Sequence, residues 1–217
     1  MFIKAKKVFA LIIIILTAAT ALAACNFPAP PTLPGQALFQ DDFSSPASGW
    51  VTSTTNSLTM DYGKNSFLFQ LREPNLEAWS TPGVDLGDIR LEVDAEKTGG
   101  IQGAAFGVIC RYQDPDHFYF FLISDDGYAS IGSMIQGEKV LLSHPTMLPV
   151  ESILQGDNSN HLQADCISNQ LRFIVNNVLV AEVEDNLYNR GDIGLMVISS
   201  GEAGGDVRFT SFIAYQP

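Results

Sequence analysis

The apolar residues of this chain fall in short runs that repeat to its end. The densest stretch is Gly107 to Ile131, G-V-I-C-R-Y-Q-D-P-D-H-F-Y-F-F-L-I-S-D-D-G-Y-A-S-I. Within and just before it, two runs, Phe106–Tyr112 and His117–Ser124, are separated by Gln113-Asp114-Pro115-Asp116, and Asp125-Asp126-Gly127 then leads into Tyr128–Ile131. Pro presets φ and Gly accepts φ > 0, so both breaks are turn chemistry and the stretch predicts three antiparallel strands. Consecutive positions in the first two are apolar, so neither of their faces is freely solvated. That places them in the middle of a large sheet.

The same pattern continues on both sides. After Leu38–Phe43, strands are expected at Ser57–Tyr62, Ser66–Arg72, Glu77–Ser80, Ile89–Lys97 and Gly103–Tyr112. Beyond the central three come Lys139–Leu142, His161–Ile167, Gln170–Val175, Val178–Glu184, Ile193–Ser199 and Val207–Tyr215. No helix is expected from Ala37 onward, and many short strands with Gly, Asn, Asp and Pro between them predict an antiparallel sandwich or barrel. Asn176-Asn177, between F-I-V and V-L-V, predicts a tight hairpin because Asn tolerates positive φ. His144 to Asn160, with prolines at 145 and 149, reads as a long loop with room for one helical turn around Val150–Leu154. Gly201-Glu202-Ala203-Gly204-Gly205 reads as a hairpin tip.

Charge and the N-terminus add location. The 217 residues carry 12 basic and 24 acidic side chains, a balance of −12. The first 24 residues hold three lysines and no acid, so the remainder stands at −15. Such a surface repels nucleic acid and anionic headgroups, and suits neutral sugars or cations. Lys4, Lys6 and Lys7 precede an apolar run, Val8 to Leu16, too short for a comfortable membrane span. Leu22-Ala23-Ala24-Cys25 follows and resembles a bacterial lipobox. That implies cleavage before Cys25 and a lipid on its sulfur, holding the protein on a cell membrane facing the extracellular or periplasmic side. Residues 26–36, N-F-P-A-P-P-T-L-P-G-Q, favour extended polyproline geometry and read as a stalk. The expected organisation is a signal peptide at 1–24, lipidated Cys25 with its stalk over 25–37, and one domain at 38–217. Cys110 and Cys166 remain, an even count in an oxidising compartment, which favours one disulfide; the alternative is two buried thiols.

The order D-D-F-S-x-P-x-S-G-W, G-V-I-C-R-Y-Q-D-P-D-H-F-Y-F-F-L-I-S-D-D-G-Y, N-H-L-Q-A-D-C, L-R-F-I-V-N, G-D-I-G-L-M-V and V-R-F-T-S-F resembles the concanavalin A-like lectin/glucanase superfamily. It is similar to bacterial lipoprotein modules related to laminin-G-like and sugar-hydrolase-associated jelly rolls. The resemblance implies an all-β fold of two curved antiparallel sheets, with ligands on the concave face or the rim loops. It also draws attention to Glu92-Val93-Asp94-Ala95-Glu96. In laminarinase and lichenase relatives an E-x-D-x-E strand supplies nucleophile, helper and general acid, and alternate strand positions would bring Glu92, Asp94 and Glu96 to one face. The same letters are equally a strand with Leu91, Val93 and Ala95 inward and its charges in water. Calcium is common in this superfamily, and Asp42 and Asp206 are its candidate ligands where the terminal strands pair. For sugar binding the candidate platform is Trp79, Arg111, Tyr119 and Tyr128, each of which has an alternative role in packing. The reading that results is a surface-anchored, non-catalytic module that binds glycan. Its alternatives are a retaining glycosidase using Glu92 and Glu96, or a domain that binds another envelope protein.

Overall fold

The computed structural model describes residues 33–100, 102–201 and 204–217. The signal peptide, Cys25 and most of the stalk lie outside the described residues. In chain order the strands are β1 (Ala37–Asp41), β2 (Ser53–Thr54), β3 (Leu58–Gly63), β4 (Ser66–Leu71), β5 (Glu77–Ser80), β6 (Ile89–Gly99), β7 (Ala105–Asp114) and β8 (His117–Ser124). They continue with β9 (Tyr128–Ile135), β10 (Glu138–Leu141), β11 (Leu148–Pro149), β12 (Ser159–Ile167), β13 (Gln170–Val175), β14 (Val178–Glu184), β15 (Asp192–Ile198) and β16 (Gly205–Tyr215). The nine-stranded sheet runs β14-β13-β12-β6-β16-β4-β3-β2 with β1 also on β16, and the seven-stranded sheet runs β10-β9-β8-β7-β15-β5 with β11 also on β9. All pairings are antiparallel.

The central three strands are β7, β8 and β9, as expected, with Pro115-Asp116 as the turn between Asp114 and His117. Asn176 and Asn177 both sit at positive φ, 51° and 66°, in the hairpin joining β13 and β14. The expected long loop before β12 contains only the two-residue β11, and no helix forms at Val150–Leu154. Two features depart from expectation. β15 belongs to the seven-stranded sheet and β16 to the nine-stranded one, so the strands that flank the Gly-rich stretch are not partners in a hairpin. Pairing also begins before Leu38: Gly35 and Gln36 exchange backbone hydrogen bonds with Gln216, at 2.8 Å each, so the last stalk residues are tied to the C-terminus.

Inward-facing residues of both sheets form one core that includes Phe67, Phe69, Phe106, Phe121, Phe173 and Phe209. Cys110 of β7 and Cys166 of β12 are joined by a disulfide that crosses the core between the sheets. Gly35–Ala37 enter beside Gln216 and Tyr215, and Tyr215 pairs with Arg90, one residue from the Ile89–Cys166 pair. This disulfide end is called proximal here. The opposite, distal end carries the 125–127 turn, the loop before β12 and the Asn176-Asn177 hairpin. There Lys97, the last inward position of β6, meets Asp125 at 2.8 Å.

Candidate functional site

The outer face of the seven-stranded sheet is its concave face, one of the two places where the resemblance implies ligands, and its groove is filled. Ile109, Phe118, Phe120, Leu122, Met134 and Met196 form a second buried apolar cluster there, against which Trp79, Tyr112, Leu141 and Met147 pack. The sheet rolls toward that face. Its edge strands β10 and β5 would lie about 24 Å apart in a flat sheet, yet Lys139 of β10 forms an ion pair with Glu77 of β5. Small residues permit the roll. A Cβ on Gly194 would stand 2.4 Å from the Ser80 carbonyl oxygen, and one on Gly132 would stand 2.2 Å from the Phe120 ring. The apolar-on-both-faces pattern of β7 and β8 is thereby explained: one face builds the sandwich core and the other the groove filling.

The four side chains expected to form a sugar platform do not come together. Trp79 is half-buried in the groove, its ring 5.5 Å from that of Phe118. Arg111 sits at a β-bulge with φ 52°, which turns its side chain inward instead of out to solvent. Its guanidinium donates to the carbonyls of Tyr188 (2.8 Å) and Cys166 (3.1 Å) and to Asp88 (3.1 Å). Burial lowers its pKa, partly offset by Asp88. Tyr119 is fully buried, and its hydroxyl donates to Asp185 while accepting from the Tyr188 amide (3.1 Å). Burial first and Asp185 second push that phenol well above its ordinary value of 10.0. Tyr128 alone is open to solvent, at 40% exposure.

Glu92, Asp94 and Glu96 do share a face, the outer face of the nine-stranded sheet, while Leu91, Val93 and Ala95 are buried. Each acid has a basic neighbour. Asp94 receives His161 at 2.8 Å, Glu92 lies 3.9 Å from the same imidazole, and Glu96 pairs with Arg208. Arg90–Asp165 and Arg172–Glu182 continue the pattern, so this is an ion-paired, solvated sheet face. Asp42 and Asp206 do not converge. Asp41 pairs with Phe212 in antiparallel register, so Asp42 stands beside Ser211, five residues from Asp206 along β16, roughly 17 Å. Asp42 instead caps its own turn by accepting from the Ser44 amide at 2.9 Å, and the Ser44 hydroxyl first and that amide second lower its pKa. Among the described residues no three His, Cys, Asp or Glu side chains are grouped so as to hold a metal ion.

Among the described residues several surface clefts have room for a ligand, and three bear on the argument. One of about 430 Å³ lies where β1 meets β16, and its one aromatic residue, Phe212, is buried in the core. A distal cleft of about 340 Å³ is bounded by Tyr128, Asp126, Glu151 and Gln155. Tyr128 opens β9 and is paired with Pro149, and Val150 donates to the Gly127 carbonyl at 2.9 Å, so the cleft walls are tied together. Gly127, at φ 98°, leaves the space that the Gln155 amide fills. Beneath it the Lys97–Asp125 pair holds the turn, with the other Asp125 oxygen accepting from the Gly103 amide at 2.6 Å. A proximal cleft of about 400 Å³ is bounded by Tyr112, Gln113, Asp85, Arg190 and Asp192. Of these two sets only Tyr128 was expected. Asp85 and Arg190 lie 105 residues apart and meet only because Leu86 and Gly191 form a backbone bridge between loops.

No protein-family model matches the chain, and no curated protein matches it. Solved structures do. A carbohydrate-binding module, CBM66 from Bacillus subtilis, superposes with a TM-score of 0.61 at 16% identity, over 77% of this chain and 96% of that one. A β-glucanase of Bacillus licheniformis gives 0.59 at 13%, over 82% and 97%. The catalytic domain of a Thermotoga petrophila endo-1,3-β-glucanase (laminarinase) gives 0.57 at 9%, over 85% and 99%. At these identities the likeness speaks for architecture: the domain is a concanavalin A-like jelly roll. Within that class, this chain is a sandwich whose seven-stranded sheet closes over an apolar groove, leaving its open clefts at the rims.

Proposed function

We propose that the protein is a non-catalytic glycan-binding module with the distal cleft around Tyr128 as its site, carried on a membrane through a lipid on Cys25. The observation that carries this reading is the exposed Tyr128 ring set beside Glu151, Gln155 and Asp126. An aromatic face stacks on the apolar side of a sugar ring, while carboxylates and an amide take its hydroxyls. The fold supports it, since the same architecture serves a protein described as a carbohydrate-binding module. The tether supports it too. The last stalk residues, Gly35 and Gln36, lie at the proximal end, opposite the cleft at Tyr128. Retaining hydrolysis requires two carboxyls about 5–5.5 Å apart, one of them protonated. Glu92, Asp94 and Glu96 instead face His161 and Arg208 on an open sheet, which favours binding without cleavage.

The test is a glycan array followed by calorimetry on the full chain in detergent. Tyr128→Ala is expected to weaken binding about tenfold or more without lowering Tm. Unchanged binding in that variant removes the distal site from the proposal. Release of product from β-glucan that disappears in Glu92→Gln overturns the non-catalytic part. The anchor is tested by mass: a mature N-terminus anywhere but residue 25, or a Cys25→Ser variant that still partitions into detergent, overturns it.

A further inference from the structure

We infer that the proximal cleft is a second saccharide site, which makes the domain bivalent; this rests on the glycan-binding reading above. Asp85 and Arg190 provide its polar wall. Nε of Arg190 lies 2.9 and 3.1 Å from the two Asp85 oxygens, and Nη2 lies 2.8 Å from Oδ2. The second amino group, Nη1, takes no part in that pair. A carboxylate paired with a guanidinium offers adjacent acceptors and donors, the arrangement that receives neighbouring hydroxyls of a sugar. Tyr112 supplies an apolar ring face, seated on Phe118 at 5.4 Å and 37°.

The cleft is built before any ligand arrives. Asp192 accepts from the amides of Gly83 (2.8 Å), Val84 (3.0 Å) and Ile193 (2.8 Å), fixing the loop that carries Asp85. Leu86 and Gly191 exchange both backbone hydrogen bonds, at 2.9 and 3.0 Å, which fixes the opposite wall. Gly191 is required there, because a Cβ would stand 2.4 Å from the Tyr112 carbonyl oxygen. Preorganised polar groups lose little on binding, which is what a shallow site for a well-hydrated ligand needs. Asp85 and Asp192 exclude an anionic ligand, and the only cation lining the cleft is Arg190, already paired. The chemistry left is a neutral polyhydroxy ring, one or two sugar units in size. The two clefts lie at opposite ends of the sandwich, so one domain can hold two glycan chains at once.

The experiment uses the full chain in detergent with laminaribiose, cellobiose and sucrose as probes. Saturation-transfer NMR reads contact, and calorimetry reads stoichiometry. Wild type is expected to bind two disaccharides per chain, Tyr128→Ala one, Arg190→Ala one, and the double variant none. Arg190→Ala and Tyr112→Ala should each weaken the proximal site about tenfold or more. Asp85 and Arg190 are exposed, so Tm reports whether a variant has merely unfolded. Against a long β-glucan the wild type should cross-link and scatter light, and either single variant should not. A stoichiometry of one that is lost with Tyr128→Ala and untouched by Arg190→Ala overturns the second site and leaves the first standing. No binding of any probe by wild type overturns both.

Discussion

The two ends of the sandwich are each clasped across the core, and they are clasped by opposite physics. At the proximal end the disulfide joins β7 to β12, and one charged group, Arg111, is spread over two neutral carbonyls and Asp88. The Asp88 side chain is 46% exposed, so its charge stays hydrated. At the distal end a single cation and a single anion are both buried, with side-chain exposures of 7% for Lys97 and 0% for Asp125. A buried pair compensates its own desolvation only while both partners are present. The proximal clasp therefore tolerates loss of one contact, and the distal clasp does not. The exposed Tyr128 cleft is built on the fragile one.

The largest effect follows directly. Asp125→Ala leaves Lys97 buried and uncompensated, and should destabilise by about 3–5 kcal/mol. It should also disorganise the Tyr128 cleft, because the 125–127 turn loses its hold. Converting both residues to apolar ones, Lys97→Met with Asp125→Leu, should recover most of the stability. Urea unfolding decides; a single-variant loss below about 1 kcal/mol would mean the pair is hydrated after all. Next comes the disulfide. Its partners are 56 residues apart in sequence, and on the chain-entropy account removing it by Cys110→Ala with Cys166→Ala costs about 4 kcal/mol. Unlike Asp125→Ala, it should leave binding at the distal cleft intact in the folded protein. If both lesions abolish that binding equally, the two ends are not independent and the comparison fails.

How far the sequence could take this differs between the ends for the same reason. The central hairpins, the Asn176-Asn177 turn and the alternation of Glu92, Asp94 and Glu96 were legible because they are set by neighbours two to four residues away. The disulfide was legible from the even cysteine count and from the export that the N-terminal pattern predicts. The apolar character of both faces of β7 and β8 was legible, although its meaning, a groove filled from within, needed the roll that brings β10 to β5. Arg111 was misplaced by its bulge: simple alternation does not foresee a residue at φ 52°. Lys97–Asp125 and Asp85–Arg190 join loops and strands distant in sequence, and a lysine at an inward position reads as an ordinary strand end until its partner is in place.

A smaller effect sharpens the proximal side. Tyr119→Phe removes one hydroxyl that bonds Asp185 and the Tyr188 amide, a loss of about 1 kcal/mol at neutral pH. The pH dependence is more specific. The folded-state pKa of Tyr119 is raised above 10.0, so the folded protein keeps this proton when the unfolded chain releases it. The stability it contributes is fully present below the ordinary tyrosine pKa and is lost as pH climbs from there toward the folded value. Wild type should therefore lose stability more steeply above pH about 10 than Tyr119→Phe does. Parallel curves for the two proteins would place the hydroxyl in water.

The smallest expected change concerns the one link that runs obliquely between the ends on the groove side. Lys139 pairs with Met134, which stands opposite Phe118 near the proximal turn, while Glu77 pairs with Ile198, whose other partner Ala105 lies near the distal turn. Their ion pair is about one-third exposed on each side, 34% and 29%, so solvent and salt screen it. Lys139→Ala should change stability by no more than about 0.5 kcal/mol. What holds the groove shut is the apolar filling, in which the half-buried Trp79 packs on Phe118. Trp79 emission should thus hardly shift in Lys139→Ala or in 1 M salt, yet should move to the red in Phe118→Ala, which removes its packing partner. A red shift of similar size in Lys139→Ala would reverse the assignment. The strap would then be the closure and the filling its consequence, and the groove would become a third place to look for a ligand.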